Sequence, residues 1–156
     1  GVKLFFDDMP RNAGSTFLQA WNPVTQKQAW RLDTPGGTNG SVLTTRGGLV
    51  FQGRSDGKLA AVDAHTGGIL WSQDMGVGTQ ASPITFEVDG EQCVSILAGW
   101  GGSPMLMGSL SAQSGWVGRQ YPRRLLTYKL DADTPDRKST RLNSSHPSRS
   151  RMPSSA

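Results

Sequence analysis

Two stretches decide the fold: FLQAWNPVTQKQAWRLD at residues 17–33 and KLAAVDAHTGGILWSQD at residues 58–74. They lie 41 residues apart and share Leu18/Leu59, Ala20/Ala61, Thr25/Thr66, Trp30/Trp71 and Asp33/Asp74, with Asn22 facing Asp63 as a conservative exchange. The same offset carries on through Gly37/Gly78, Thr38/Thr79, Ser41/Ser82 and Thr44/Thr85. A repeat of about 40–50 residues is the size of one four-stranded blade of a β-propeller.

Working outward, short β-rich runs alternate with turn residues. SVLTT (41–45), LVFQGR (49–54), KLAAVDA (58–64) and ILWSQDM (69–75) are separated by Arg46-Gly47-Gly48, Ser55-Asp56-Gly57 and His65-Thr66-Gly67-Gly68. Four strands joined by three tight turns make one blade. A next blade is expected from ASPITFEV (81–88), an Asp89-Gly90 hairpin, EQCVSILAGW (91–100) and RLLTYKL (124–130). The Gly/Ser/Pro-rich stretch 101–121 reads as a loop, as does NAGS (12–15), and residues 1–16 as an irregular segment. No stretch carries a helical period. In KLAAVDA odd and even positions alike are small or apolar, which suits a sheet covered on both faces. The expected fold is all-β: two to three four-stranded blades of a larger propeller over residues 17–130, a linker at 131–135 and a disordered tail at 136–156.

Both copies fit A-x-[DN]-x-x-T-x-x-x-x-W. Asn22 or Asp63 ends a strand and can accept N–H bonds within the turn. Gly67 suits a left-handed position, which Gln26 in the first copy would hold at a cost of about 1–2 kcal/mol. Trp30 and Trp71 each offer a large flat surface to the adjoining sheet.

Charge and composition exclude several classes. Of the 16 Lys and Arg, Arg137, Lys138, Arg141, Arg149 and Arg151 sit in residues 136–156 against Asp136 alone, which accounts for the whole net charge of +4. The remainder is neutral, so the basic balance gives no ground for a nucleic-acid partner. No apolar run approaches the roughly 18 residues of a membrane helix, so no transmembrane segment is expected. A single cysteine, Cys93, permits neither an internal disulfide nor a cysteine zinc cluster; a buried small hydrophobe is the expectation there. Asp56, Asp63, His65 and Asp89 read as turn residues, and no His/Cys/carboxylate group has metal-ligand spacing. The chain opens on Gly1 without a signal-peptide pattern and is expected to be a piece of something longer.

The segment DRKSTRLNSSHPSRSRMPSSA (136–156) is too poor in apolar residues to order itself. DRKSTRLNSSH is similar to one reading frame of a common sequencing-library adapter, and SRMPSSA to its far end. The tail is therefore expected to be non-native.

The repeat resembles the tryptophan-docking repeat of pyrroloquinoline quinone (PQQ) propellers. AWNPVTQKQAW, TTRGGLVFQGRSDGKLAAVDAHTGGILW and PITFEVDGEQCVSILAGWGG are together similar to the C-terminal third of PQQ-dependent alcohol dehydrogenases. The resemblance covers residues 17–130. It implies an eight-bladed propeller in a secreted, periplasmic enzyme that uses PQQ and calcium. Such an enzyme oxidises an alcohol to an aldehyde or ketone and passes electrons to a cytochrome, and it can carry a fused C-terminal domain with heme c. The family's base, calcium ligands and vicinal disulfide lie upstream of the matching residues, so no catalytic or metal-binding residue is expected here. The fragment itself is expected to be inactive. The resemblance does assign Gly99 and Trp100 to the quinone pocket: glycine admits a planar cofactor and tryptophan forms an apolar wall. The competing role for Trp100 is packing of the last blade. A piece of a non-enzymatic PQQ-like scaffold of the outer-membrane assembly type is the alternative reading.

Overall fold

The structure, a computed structural model, describes residues 15–100, 115–116, 120–130 and 142–143. The described residues form strands and connections without a helix. Strands β1 (Ser15–Asn22) and β2 (Lys27–Pro35) make an antiparallel hairpin. Strands β3 (Val42–Thr44), β4 (Leu49–Gly53), β5 (Lys58–Asp63) and β6 (Ile69–Asp74) form a four-stranded antiparallel meander, the blade expected from the sequence. Strands β7 (Ile84–Val88), β8 (Glu91–Ala98) and β9 (Arg124–Leu130) form a third sheet, to whose β9 edge the two-residue β10 (Leu142–Asn143) pairs.

The repeat extends to backbone detail. Ala20 pairs with Trp30 and Ala61 with Trp71, and a register shift follows each alanine. The Asn22 carboxamide oxygen accepts N–H bonds from Val24 (2.9 Å) and Thr25 (3.0 Å). One Asp63 carboxylate oxygen accepts from His65 (2.7 Å) and Thr66 (2.9 Å). Gln26 and Gly67 both hold a positive φ, 52° and 76°. Asp89 and Gly90, also at positive φ, close the β7–β8 hairpin.

The middle sheet is buried on both faces, as the pattern of β5 requires. On one side Val50, Ala60 and Val62 pack with Trp30, Leu18 and Leu32 of the first sheet. On the other, Phe51, Leu59 and Ala61 pack with Val94, Ile96, Tyr128 and Leu130 of the third. Full burial of such a side chain contributes about 1.5–3 kcal/mol. The docking of Trp30 is directional: its indole N–H donates to the Ala64 carbonyl at 2.8 Å. Its ring lies so close over Gly67 that a Cβ there would come within 2.7 Å of Trp30 Cε3. Trp71 meets Tyr128 of the third sheet edge-on, ring centres 5.2 Å apart.

Three expectations need correction. Ser15 and Thr16 belong to β1 rather than to an irregular N-terminal segment, because they pair with Pro35 and Thr34. The strand expected from residue 81 starts at Ile84, after a crossover held by side-chain bonds. Cys93 is half-buried rather than buried, since it faces away from the middle sheet. Leu142 and Asn143 pair with Leu130 and Lys129. Residues 1–14, the linker 131–135 and the rest of 136–156 lie outside the described residues, as do residues 101–114 of the expected loop.

Candidate functional site at the loop end of the sheets

Tight turns gather at one end of the sheets, where Ala64 N–H donates to the Gly48 carbonyl. Crossovers and longer loops gather at the other. There the β2–β3 crossover (36–41), the β4–β5 turn (54–57), the β6–β7 crossover (75–83) and the start of the β8–β9 loop meet. Gly40 N–H bonds Gly53 O at 2.8 Å, Gln80 bonds Thr38 at 2.9 Å, and Thr79 forms a parallel bridge with Gly99. A cavity of about 340 Å³ opens at this end, lined by Gln80, Ala81, Leu97, Gly99, Trp100, Arg123, Arg124 and Leu125, with Ala98 behind.

Both sequence-predicted site residues, Gly99 and Trp100, therefore lie side by side in the cavity wall. A Cβ on Gly99 would come no nearer to its surroundings than 3.4 Å, from Arg123 Cγ. Trp100 is partly buried against the core shared by the second and third sheets. Its ring leaves no room for a side chain at Gly78, where a Cβ would lie 2.9 Å from Trp100 Cε3. The Trp100 indole N–H is buried and has no hydrogen-bond partner among the described residues. A buried donor left unpaired costs about 1–3 kcal/mol.

Several side chains at this end escape the sequence reading. Arg124 donates to the Met75 carbonyl at 2.5 Å, tying β9 to the crossover behind the cavity. Arg54 and Asp56 form a nearly buried ion pair at 2.9 Å, whose Arg54 Nε lacks a partner among the described residues. Trp116 donates to the Ser55 carbonyl at 2.6 Å and packs edge-on against Tyr121. Asn39 bonds Thr16, Thr34 and Ser55. Only Asn39 carried a signal in sequence: it occupies the repeat position of Gln80, so both crossovers place a carboxamide after Gly-Thr or Gly-Gly-Thr. Elsewhere, Asp63 is held below the ordinary aspartate range by the Thr66 and His65 backbone N–H groups, a turn role at the opposite end. Burial pushes the Tyr128 phenol up. No group of three or more His, Cys, Asp or Glu gathers among the described residues.

Stacked antiparallel sheets with tryptophans docked at a 41-residue repeat are the architecture of a propeller of the quinoprotein type. Comparison with known proteins agrees: residues 7–94 match the family "PQQ: Glucose/ethanol/alcohol dehydrogenase, beta-propeller domain", and the chain belongs to that family. The 1-butanol dehydrogenase (cytochrome c) of Thauera butanivorans is 53% identical over 85 residues, covering 54% of this chain and 12% of the relative. The quinohemoprotein alcohol dehydrogenase ADH IIB of Pseudomonas putida is 43% identical over 124 residues, covering 80% and 18%. Among solved structures, the quinohemoprotein alcohol dehydrogenase of Comamonas testosteroni superposes with a TM-score of 0.63 at 38% identity, covering 80% of this chain and 18% of that one. The chain thus spans less than a fifth of the length of these relatives.

Proposed function

We propose that this chain is a late part of the propeller of a periplasmic, PQQ- and calcium-dependent dehydrogenase. The parent enzyme oxidises an alcohol to an aldehyde or ketone and hands electrons to a cytochrome, with a heme c domain as an optional extension. Gly99 and Trp100 form part of the wall of its quinone pocket. The observation that carries this reading is the ring of Trp100 beside the bare backbone of Gly99 in the wall of one cavity.

The residues present suit PQQ on one side. Gly99 lets a planar ring approach the main chain. The Trp100 ring offers it an apolar wall that excludes water. Arg123 and Arg124 place positive charge at the same cavity, which complements a polycarboxylate. When bound, PQQ supplies the two-electron acceptor for alcohol oxidation; this chain's part is to position it and keep water out. No group of three or more His, Cys, Asp or Glu gathers among the described residues, and this reading places the ion's ligands and the catalytic base elsewhere in the parent.

Alone, the chain is inactive under this reading. Its third sheet turns Ile84, Phe86, Leu97 and Leu125 outward, a face that neighbouring blades of a ring would cover.

The test is Trp100→Ala in the full-length parent. PQQ should bind about tenfold more weakly, a change of about 1.4 kcal/mol, as read by titrating apoenzyme with the cofactor. Unchanged PQQ affinity together with unchanged alcohol preference would remove both residues from the site.

A further inference from the structure

We infer that Asn39 is a positioning residue. From the seam between the first two sheets it sets the β4–β5 turn and, through Ser55, the aromatic wall that backs the cavity of the third. The part of this inference that concerns PQQ rests on the function proposed above; the part that concerns Trp116 does not.

The carboxamide of Asn39 uses its full bonding capacity. Its Nδ2 donates to Thr16 Oγ1 at 2.6 Å and to Thr34 Oγ1 at 2.8 Å. Its Oδ1 accepts from the Ser55 backbone N–H at 2.9 Å and lies 3.2 Å from the Ser55 hydroxyl, which also reaches Pro35 O at 3.3 Å. An Asn side chain has two donors and two acceptor lone pairs, so nothing is left over. The two threonine hydroxyls lie 2.9 Å apart, and each has a carbonyl acceptor as well, Gly36 O for Thr16 and Thr16 O for Thr34, both at 3.2 Å. Both hydroxyls accept from Asn39 Nδ2 in this arrangement. An aspartate of the same shape would lose both Nδ2 donors and add a negative charge, and the two hydroxyls would have to give up their present acceptors to meet it.

Ser55 carries the constraint across the sheet. Its N–H is held by Asn39, while its carbonyl accepts the Trp116 indole N–H at 2.6 Å. Trp116 and Trp100 then converge on Gly78, where a Cβ would lie 2.5 Å from Trp116 Nε1, 2.7 Å from Ser55 O and 2.9 Å from Trp100 Cε3. There is no slack at that point. A shift of the β4–β5 turn moves Trp116, and Trp116 and Trp100 move together. A polar lock between the first and second sheets thereby governs a wall that belongs to the third.

The experiment uses the full-length parent in apo and PQQ-loaded forms. In the apoenzyme, Asn39→Asp should change the near-ultraviolet circular dichroism and indole fluorescence, and the change should vanish in a Trp116→Phe background. In titrations with PQQ, Asn39→Asp and Thr34→Val should each raise the dissociation constant about tenfold, whereas Thr34→Ser, which keeps the hydroxyl, should restore the parental value. Asn39→Asp combined with Trp116→Phe should bind PQQ no more weakly than Trp116→Phe alone. A lower melting temperature with unchanged apoenzyme indole spectra would overturn the inference, as would additive losses in the double variant. If Asn39→Asp does not fold, the Thr34→Val and Thr34→Ser pair decides the matter in the same way. Altered indole spectra in an enzyme whose unmutated form binds no PQQ would uphold the lock and refute the proposed function instead.

Discussion

The turns at residues 22–26 and 63–67 are built from the same hydrogen bonds and differ in what lies on them. In each, a side-chain oxygen of the first residue caps two backbone N–H groups, and the fifth residue is left-handed. The first copy fills that fifth position with Gln26 and the second with Gly67. Trp30 packs directly over Gly67, whereas residues 21–29 are exposed and no indole among the described residues covers Gln26. Backbone conformation alone therefore does not demand glycine, since a side chain tolerates it at modest cost. Glycine is demanded where the conformation and a docked ring coincide.

That contrast can be broken from either side. The largest effect is expected for Gly67→Ala, which combines a left-handed alanine with a Cβ driven into the Trp30 ring. It should destabilise the parent by about 2–4 kcal/mol, seen as a lower melting temperature and a loss of Trp30 fluorescence shielding. A cost no greater than that of an ordinary left-handed alanine would show that Trp30 yields freely. Gln26→Gly should act in the opposite sense and stabilise by about 1 kcal/mol, because strain is relieved and no contact is lost. Destabilisation there would mean that the Gln26 side chain has a partner of its own.

The smallest effect concerns the capping residue. Asp63 is held below its ordinary value of 3.8 by two backbone N–H donors, so it is ionised in the folded state at pH values where the unfolded chain is already protonated. Its stabilisation is present above pH 3.8 and is lost as pH falls through the depressed folded value. Asp63→Asn, which copies Asn22, should abolish that acid-range dependence and leave neutral-pH stability nearly unchanged. Acid unfolding curves of the two proteins that superpose below pH 3.8 would show that the carboxylate adds nothing beyond the amide.

The parts legible in sequence share a physical basis. The turn oxygens at Asn22 and Asp63 reach two and three residues along the chain, and the glycine signals act on their own φ angles. The uninterrupted small or apolar run in 58–63 and the Asp89-Gly90 hairpin are equally local. The 41-residue offset let one turn be read from another. Gly99 and Trp100 came from resemblance, not from local pattern. Half-burial of Cys93 could not be read, because an apolar strand does not announce which face is covered.

By itself, then, the sequence determined that this chain makes repeated antiparallel sheets with capped turns and sheet-covering tryptophans, since those features depend on residues a few positions apart. Only the tertiary structure decided what each tryptophan and polar side chain meets. Trp30 reaches Ala64 across 34 residues, Ser55 meets Asn39 across 16, and Trp116 meets Ser55 across 61. Such contacts form only when separate sheets stack, and each is fixed by the approach of two backbones that no local preference specifies.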